Sequence, residues 1–377
     1  MEQVEYKQYL YDYIKLFSLY LNNKSAEDLA IDDKMLSFFI KLSKYHSLTA
    51  FLYKAIKDTK AKVNEEQLKK LEEWYYSNLR KTVLFEQERQ KLYDFLNKNQ
   101  IDFLPLKGLA IQQYYPDLYA REFADYDILF DPNKDLLVKK FFTTNGYEVK
   151  YFRKGVHDVY LKKPFYNFEM HRKLFSPDDK RLKNVSYFDA YSTKSTIKEG
   201  FEHYLTNEDF YIYFTMHSYK HYCGSGCGIR TLIDYYVFLK NVDLDFDYID
   251  KELRSLDLVE FSNDIKSLSL KLFDNQEISI KEEEMLLYIA DAGTYGTLEN
   301  SVNKGVQKKG KFRYFMSRIF PPLTLYKNVY PWAYKCRILI PIAWICRFFR
   351  ILFKNPKKAI NEFKLIKKSQ VAKEDNE

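Results

Sequence analysis

The 377-residue sequence predicts an α+β protein in which a small mixed β-sheet is flanked by helical regions at both ends. Three observations indicate this fold class. Glycine is absent from residues 1–98, where apolar residues recur at helical spacing. Between residues 101 and 171, apolar runs follow the order strand, helix, strand, helix and then three strands. After about residue 205 the helical spacing returns.

The N-terminal region shows helical spacing in two stretches. Leu10, Ile14 and Phe17 recur three or four residues apart and would share one face of a helix. The stretch 83–96, VLFEQERQKLYDFL, has the same rhythm. These patterns predict that the chain is helical up to the first strand.

The central region predicts five short strands and two helices. The strands are expected at 101–106, 128–130, 146–152, 156–161 and 165–171, and the helices at 109–115 and 136–144. With the flanking patterns, this order divides the chain into an N-terminal helical region, a catalytic core, a helical lid or support region, and a basic amphipathic tail. Their expected bounds are 1–98, 99–205, 206–303 and 304–377.

Asp125 and Asp127 stand at the head of the second strand and carry the clearest chemical indication in the chain. If residues 126–130 are extended, side chains alternate in direction and the two carboxylates project from one face. Like charges so close raise each other's pKa unless a cation neutralises them. Mg²⁺ is the expected ion, with Mn²⁺ as the alternative. A solvated acidic strand end is the other interpretation, since Asp-x-Asp is a short motif.

Other residues with suitable chemistry accompany this acid pair in the sequence. They are Lys107-Gly108 after the first strand, Arg121 four residues before Asp125, and Phe168-Glu169-Met170-His171 on the fifth strand. Together they resemble the uncharacterised nucleotidyltransferase-like family of the DNA polymerase beta superfamily, over roughly residues 30–350. The pattern of that family is a Lys-Gly turn, an Arg before an Asp-x-Asp strand, and a later strand with Glu-x-His.

The resemblance implies an Mg²⁺-dependent transferase that moves an NMP group from an NTP to a hydroxyl of an unknown acceptor. It implies that Asp125, Asp127 and Glu169 are catalytic and bind the metal. The implied nucleotide-binding residues are Lys107, Gly108, Arg121, His171 and Arg230. Two metal ions can stabilise an in-line displacement, while a third carboxylate helps to deprotonate the attacking hydroxyl. Positive side chains would hold the polyphosphate.

One departure from the wider superfamily keeps a second interpretation open. Its usual turn has Gly-Gly or Gly-Ser shortly before the acids, whereas Gly108 is followed by Leu109 and a long interval to Asp125. The serine hydroxyl that would bind phosphate is therefore missing. The alternative function is a non-catalytic interaction module with the same fold, which docks through its basic tail to a membrane surface or an acidic partner.

Residues 209–222 are expected to form a helix with His217 and His221 one turn apart on one face. Such a pair can bind zinc, but it lacks a third ligand at a convincing spacing, and polar packing is the preferred interpretation. Arg230 and Asp234, on the next helix, match a pattern of the same family and are expected in a lid that faces the cleft. The alternative is a surface ion pair four residues apart.

Other enzyme classes find no support in the sequence. It has no G-x-S-x-G elbow, no Rossmann glycine fingerprint and no G-x-x-x-x-G-K-[ST] phosphate loop. The Cys223 and Cys227 pair lacks the second pair that a zinc ribbon requires. The N-terminus has no apolar targeting segment, so the expected compartment is the cytoplasm.

The positive charge is concentrated in residues 304–368, which contain 17 Lys or Arg residues against a single acid, Glu362. Within them, residues 336–353 read CRILIPIAWICRFFRILF, an apolar run interrupted by arginines and a proline. Residues 336–368 therefore predict a basic amphipathic segment, and one location that fits it is an anionic membrane surface, at the inner face of the membrane. A helix packed on the body of the protein is the alternative. Nucleic acid is the least favoured partner, because an apolar face would have no role there.

Overall fold

The computed structural model describes residues 3–189, 196–294, 298–321, 326, 330–354 and 356–368. The chain forms two compact units. The first comprises Met1–Tyr219 and Gly228–Thr294, and the second comprises Lys220–Cys227 and Tyr295–Glu377. Helices precede and follow one mixed sheet along the chain, which confirms the α+β fold class. The four regional bounds inferred from the sequence stay predictions.

Four helices precede the sheet, as predicted for residues 1–98. They are α1 (Gln3–Leu21), α2 (Asp33–His46), α3 (Thr49–Thr59) and α4 (Glu65–Lys98). The Asp32 carboxylate accepts a hydrogen bond from the backbone N–H of Met35 and so caps α2. Asn64 caps α4 in the same manner. Caps of this kind satisfy backbone donors that have no partner within the helix.

Seven strands in the described residues form one mixed sheet in the order β3-β4-β5-β2-β1-β7-β6. The strands are β1 (Phe103–Pro105), β2 (Tyr126–Phe130), β3 (Glu148–Tyr151), β4 (His157–Lys162), β5 (Tyr166–His171), β6 (Thr196–Glu199) and β7 (Glu202–Leu205). The first five agree with the predicted strands to within two residues at either end. The hairpin of β6 and β7 was not predicted, because four-residue strands carry too little alternation to stand out.

The segment after β1 differs from the single helix predicted at 109–115. It contains α5 (Gly108–Ile111) and a 3₁₀ turn (Gln112–Tyr114). Pro116 explains the early end, because a residue before proline is driven out of the helical region, and Tyr115 is extended at φ −74° and ψ 143°. The predicted helix at 136–144 is present as α6 (Asp135–Thr144).

One face of the sheet packs against helices and forms the main core. Tyr126, Ile128 and Phe130 of β2 belong to one buried cluster with Phe85 of α4 and Phe142 of α6. Replacing a buried phenylalanine such as Phe142 by alanine costs about 3–5 kcal/mol in general. Because strand side chains alternate, the residues between these on β2 point to the opposite face. That opposite face carries the candidate site.

Helices return after the sheet, as predicted. They are α7 (Asn207–Tyr222), α8 (Ile229–Asn241), α9 (Phe246–Leu256), α10 (Val259–Phe273) and α11 (Ile280–Ala292). In α11 the Ser279 hydroxyl accepts from the N–H of Glu282, whose carboxylate accepts from the N–H of Ser279, which completes a capping box.

The second unit contains five short helices in its described residues. They are α12 (Leu298–Lys309), α13 (Lys311–Ile319), α14 (Pro331–Lys335), α15 (Ile340–Lys354) and α16 (Pro356–Lys368). Two small clusters hold parts of this unit together, one around Val302 and Tyr314 and the other around Tyr326 and Ala343. None of the helices that the structure describes is long and apolar enough to cross a membrane.

Candidate active site

The register between β2 and β5 brings two predicted acids side by side. These strands are parallel, and Asp127 is the direct partner of Glu169 while Leu129 is the partner of His171. Side chains of paired residues lie on the same face of a sheet. Asp127, Glu169 and His171 therefore share the face opposite the main core. Asp127 and His171 are buried, at 6% and 5% exposure, although both are polar.

A second histidine, His157 on β4, joins this cluster. Strand β4 runs antiparallel to β5, so His157 pairs with His171 and Val159 with Glu169. The Nε2 atom of His157 lies 3.5 Å from Oε2 of Glu169, and Nε2 of His171 lies 3.8 Å from the same oxygen. Within the described residues, these three side chains form a group whose ligand atoms all lie within 4.8 Å of one another, close enough to hold a metal ion.

Lys107 provides the positive charge nearest to Asp127. Its Nζ atom donates to Oδ1 of Asp127 at 2.7 Å, and Nε2 of His171 is 2.7 Å from the same oxygen. Lys107 reaches this position from a backbone with φ 51° and ψ −119°, a region that non-glycine residues seldom adopt. Strained conformations of this kind are held in place by surrounding structure and cluster at functional sites.

Electrostatic interactions within the cluster shift the pKa values of its carboxyl groups in different directions. Burial and the neighbouring Asp127 charge raise the pKa of Asp125. Burial, Asp127 and Asp125 likewise raise the pKa of Glu169 to about 7. Burial acts the same way on Asp127, but Lys107 and His171 outweigh it and hold the pKa of Asp127 below its usual range. The site thus combines one firmly ionised carboxylate with two that are easily protonated or neutralised by a cation.

The pKa values of the two basic groups, His171 and Lys107, are shifted in opposite directions. Burial lowers the pKa of His171, which keeps its imidazole neutral, although the hydrogen bond to Asp127 opposes this effect. Burial also disfavours the ammonium of Lys107, but the charge of Asp127 more than compensates and raises the pKa of Lys107. A neutral imidazole beside a charged lysine can serve as a metal ligand or as a proton acceptor.

Arg121 is placed differently from the other predicted nucleotide-binding residues. Its Nε and Nη2 atoms donate to the two carboxylate oxygens of Asp234 on α8, each at 2.9 Å, and Tyr115 donates to Oδ1 of Asp234 at 2.6 Å. Asp234 thus pairs with Arg121, and the alternative surface pair with Arg230 is absent. The third nitrogen, Nη1, packs against Gly108, where a Cβ atom would overlap it. Glycine is therefore required at this position by the packing of Arg121.

Arg230 is half-buried and donates from Nη1 to the backbone carbonyl of Glu122 at 2.9 Å. The carboxylate of Glu122 in turn accepts from the backbone N–H of Ala50 at the start of α3, at 2.8 Å. An anion at a helix N-terminus is favoured by the helix dipole. These contacts anchor the long interval between the Lys-Gly turn and the acid strand, so that Asp125 is held near Asp127.

The histidines of α7 lie outside the metal-ligating group. His217 and His221 both have contacts of their own, and neither belongs to the cluster of His157, Glu169 and His171 that the described residues form. Sequence motifs indicate His171 and Glu169 as site residues, but no motif indicates His157. Its position on the predicted strand 156–161 was visible, but the strand partner that places it beside Glu169 was not.

A comparison with models of protein families identifies the family of this chain. The model of a family described as uncharacterised nucleotidyltransferases matches residues 33–273. This match spans more than half of the chain, and the chain belongs to that family. Family membership supports nucleotidyltransferase activity in general terms. A comparison with curated proteins gives no match, and a comparison with solved structures gives none either.

Proposed function

We propose that this protein is an Mg²⁺-dependent nucleotidyltransferase that transfers an NMP group from an NTP to a hydroxyl of an acceptor. The observation that carries the proposal is the register of β2 and β5, which places Asp127 beside Glu169 with Lys107 at hydrogen-bond distance from Asp127. The acids of this cluster outnumber the lysine that contacts them. Such a cluster favours binding of a hard divalent cation together with the phosphates of a substrate.

Each predicted residue has a role in this reaction. Asp125, Asp127 and Glu169 would hold the metal, which neutralises charge on the phosphates and stabilises the displacement. Lys107, His171 and Arg230 would contact the polyphosphate, while Arg121, which is buried and paired with Asp234, would act by packing against Gly108 at the Lys-Gly turn.

The chemical step is a substitution at the α-phosphorus of the NTP. The acceptor oxygen forms a bond to this phosphorus, the bond to the oxygen that bridges to the β-phosphorus breaks, and pyrophosphate leaves with that electron pair. The proton of the acceptor hydroxyl passes to a base. The carboxylate of Glu169 would accept this proton through the oxygen that does not bind the metal.

The test is transfer of label from each of four α-labelled NTPs, with Mg²⁺ or Mn²⁺, into the protein itself, lysate protein, RNA and small-molecule pools. We expect label with one or more donors, and we expect Asp127→Asn to reduce the rate at least about 100-fold, as loss of a key electrostatic group does. Asp94→Asn is the matched control, because Asp94 is an exposed carboxylate on α4. It should transfer at the unchanged rate.

Two outcomes would contradict the proposal. Label that Asp127→Asn and Asp125→Asn incorporate as fast as the unchanged protein would show that another site performs the transfer. An absence of label in every pool, together with no binding of nucleotide or divalent ion, would favour the alternative of a non-catalytic interaction module.

We further propose that the protein acts in the cytoplasm at the inner face of a membrane, through residues 336–368. Ile342, Ile345 and Phe349 follow one another at steps of three and four residues and so share one face of α15, and Ile338 lies in the 3₁₀ turn (Arg337–Leu339) just before that helix. They are between 51% and 86% exposed. Exposed apolar side chains that lie next to one another on a protein surface generally mark a contact with a membrane or a partner.

Charge favours an anionic membrane as the partner. Arg337 and Arg350 flank the stripe and are exposed, and the surrounding residues 304–368 carry an excess of 16 positive charges. Each lysine or arginine near an anionic surface contributes about 1 kcal/mol to binding, and each buried large apolar side chain about 1.5–3 kcal/mol. A short amphipathic helix such as α15 can therefore lie in the interface without crossing the membrane.

Sedimentation with vesicles tests this contact. The full chain should bind vesicles that contain phosphatidylserine and should bind pure phosphatidylcholine weakly. Ile338→Glu should weaken binding about tenfold or more, as expected from lost apolar burial and added negative charge. Ile280→Glu is the matched control, because Ile280 on α11 is 79% exposed and Ile338 is 86% exposed. Equal binding by both variants, or a stripe covered by a second copy in solution, would refute the membrane contact.

A further inference from the structure

Three side chains on neighbouring strands make a cluster with a different ligand chemistry from that of an aspartate pair. They are His157 on β4 and Glu169 and His171 on β5. We propose that His157, Glu169 and His171 bind a first-row transition-metal ion, such as Mn²⁺ or Zn²⁺, in preference to Mg²⁺. The ion would lie in the active site proposed above, next to the Mg²⁺ that Asp125 and Asp127 would hold, so this assignment rests on that function.

The distances agree with those between ligands of a single ion. An ion about 2.1 Å from each of its ligands in tetrahedral geometry would separate those ligands by about 3.4 Å. The two nitrogen atoms of the cluster lie 3.5 Å and 3.8 Å from Oε2 of Glu169. The three ligand atoms all lie within 4.8 Å of one another, so side-chain rotations would bring them around one ion, and Nε2 of His171 would exchange its hydrogen bond to Oδ1 of Asp127 for that ion.

The backbone holds the ligands in this arrangement. His157 and His171 are direct partners in the antiparallel pairing of β4 and β5, and their ring centroids are 4.9 Å apart. Glu169 lies two residues before His171 on the same strand, so all three side chains are on one face. A site built on paired strands is positioned more accurately than one built on loops.

The choice of ion follows from ligand type and charge. Imidazole nitrogen suits zinc and other transition ions, whereas Mg²⁺ prefers oxygen ligands and retains its waters. Asp127 already has the ammonium of Lys107 at 2.7 Å, while Glu169 lies between the two imidazoles. Three protein ligands would leave positions open for a phosphate oxygen or water, which is the arrangement of catalytic rather than structural sites.

Direct titration of the full chain with Mn²⁺, without nucleotide, tests this assignment. The electron paramagnetic resonance signal of free Mn²⁺ reports binding, and Mg²⁺ and Zn²⁺ are added as competitors. We expect Mn²⁺ to bind at least about tenfold more tightly than Mg²⁺, and Zn²⁺ to displace Mn²⁺. His157→Ala should weaken Mn²⁺ binding by about 10–100-fold or more, while Mg²⁺ binding changes little.

Two further variants guard against a loss of folding. His157→Asp replaces an imidazole by a carboxylate, so it should keep a divalent site but move the preference toward Mg²⁺. His217→Ala is the matched control, because His217 is a half-buried histidine on α7 outside the cluster. It should leave Mn²⁺ binding unchanged.

The outcomes separate this assignment from the proposed function. Equal affinity for Mn²⁺ and Mg²⁺, or Mn²⁺ binding that His157→Ala and His157→Asp leave unaltered, would overturn the assignment even if the protein transfers nucleotides. Mn²⁺ binding that depends on His157 in a protein that transfers no label would support the metal site and refute the transfer reaction. Loss of binding in His217→Ala instead would move the site to α7.

Discussion

Two clusters of buried charge in the first unit differ in how their charges are balanced. In one, the guanidinium of Arg121 is matched by the carboxylate of Asp234 through two parallel hydrogen bonds. In the other, Asp127 and Glu169 lie side by side, the charge of Asp125 acts on both, and Lys107 donates to Asp127. The first cluster is complete within the protein, and the second has an excess of negative charge.

This difference distinguishes a structural role from a role in binding. A buried charge that is fully paired has satisfied hydrogen bonds and needs no ligand. In a cluster with surplus carboxylates, burial and mutual repulsion raise the pKa of some of the carboxyl groups, and a bound cation removes this effect. The Arg121–Asp234 pair holds the interval before the acid strand in place, while the acid cluster is available for a metal and a substrate.

Breaking the balanced pair should give the largest effect on stability. Arg121→Ala leaves the carboxylate of Asp234 buried without its partner, and we expect a loss of about 3–5 kcal/mol in the free energy of unfolding. Urea denaturation measures this loss. In the double variant with Asp234→Ala, the cost should be smaller than the sum of the two single costs, because each single change leaves one charge uncompensated.

A second bidentate pair provides the matched control. Arg153 donates to both oxygens of Asp135, but its side chain is 56% exposed, whereas that of Arg121 is 7% exposed. Asp135 is buried, but it retains the guanidinium of Arg172 at 3.7 Å when the exposed Arg153 is removed, so Arg153→Ala should cost only about 0–1 kcal/mol. Similar losses for Arg121→Ala and Arg153→Ala would show that burial does not distinguish the two arginines.

The acid cluster should make the free energy of unfolding depend on pH. Burial and the neighbouring aspartates raise the pKa of Glu169 from 4.5 to about 7. Between these two values the unfolded chain has released this proton while the folded chain retains it, so the contribution of Glu169 to stability falls as pH rises through 7. Glu169→Gln removes the titration and should therefore gain stability relative to the unchanged protein as pH rises from 4.5 to above 7.

Urea denaturation in EDTA, at several pH values, tests this effect. Addition of Mn²⁺ or Mg²⁺ should abolish it in the unchanged protein, since a bound cation favours the ionised carboxylate. A difference between the two proteins that stays constant across this pH range would show that Glu169 titrates normally, and would remove the evidence for unbalanced charge.

The smallest expected effect concerns the backbone that carries the charge of Lys107. With φ at 51°, this position favours glycine, so Lys107→Gly should be more stable than Lys107→Ala by about 1 kcal/mol. Both variants lose the ammonium, and their difference isolates the backbone. At Lys91, inside α4, the same two substitutions should show the opposite order by about 1 kcal/mol, because glycine is a poor helix former. The same order at both positions would refute backbone strain at the turn.

Much of the fold could be predicted because its evidence is local in sequence. The N-terminal helices and the alternation of Tyr126, Ile128 and Phe130 with polar or smaller neighbours depend on spacing along a single segment. The hairpin of β6 and β7 could not be predicted, because strands of four residues draw their stability from pairing. The helix predicted at 109–115 extends beyond the end of α5, because Pro116 keeps Tyr115 out of the helical region.

The site divides in the same way. Sequence motifs predicted that Asp125, Asp127, Glu169 and His171 belong together, and the sheet places the last three on one face. The partner of Arg121 was not foreseen, since Asp234 lies 113 residues away in the sequence and on another helix. The metal-ligating position of His157 was missed for the same reason, although the strand that carries it was predicted.

The sequence by itself determined the α+β class, the order of the strands from β1 to β5 and the pair of acids at the head of β2, because periodicity and short motifs act over a few residues. Only the tertiary structure decided that Asp127 lies beside Glu169, that His157 faces both Glu169 and His171, and that Arg121 is neutralised by Asp234. Strand register and helix docking are fixed by the burial of apolar faces contributed by distant segments. No single segment contains that information.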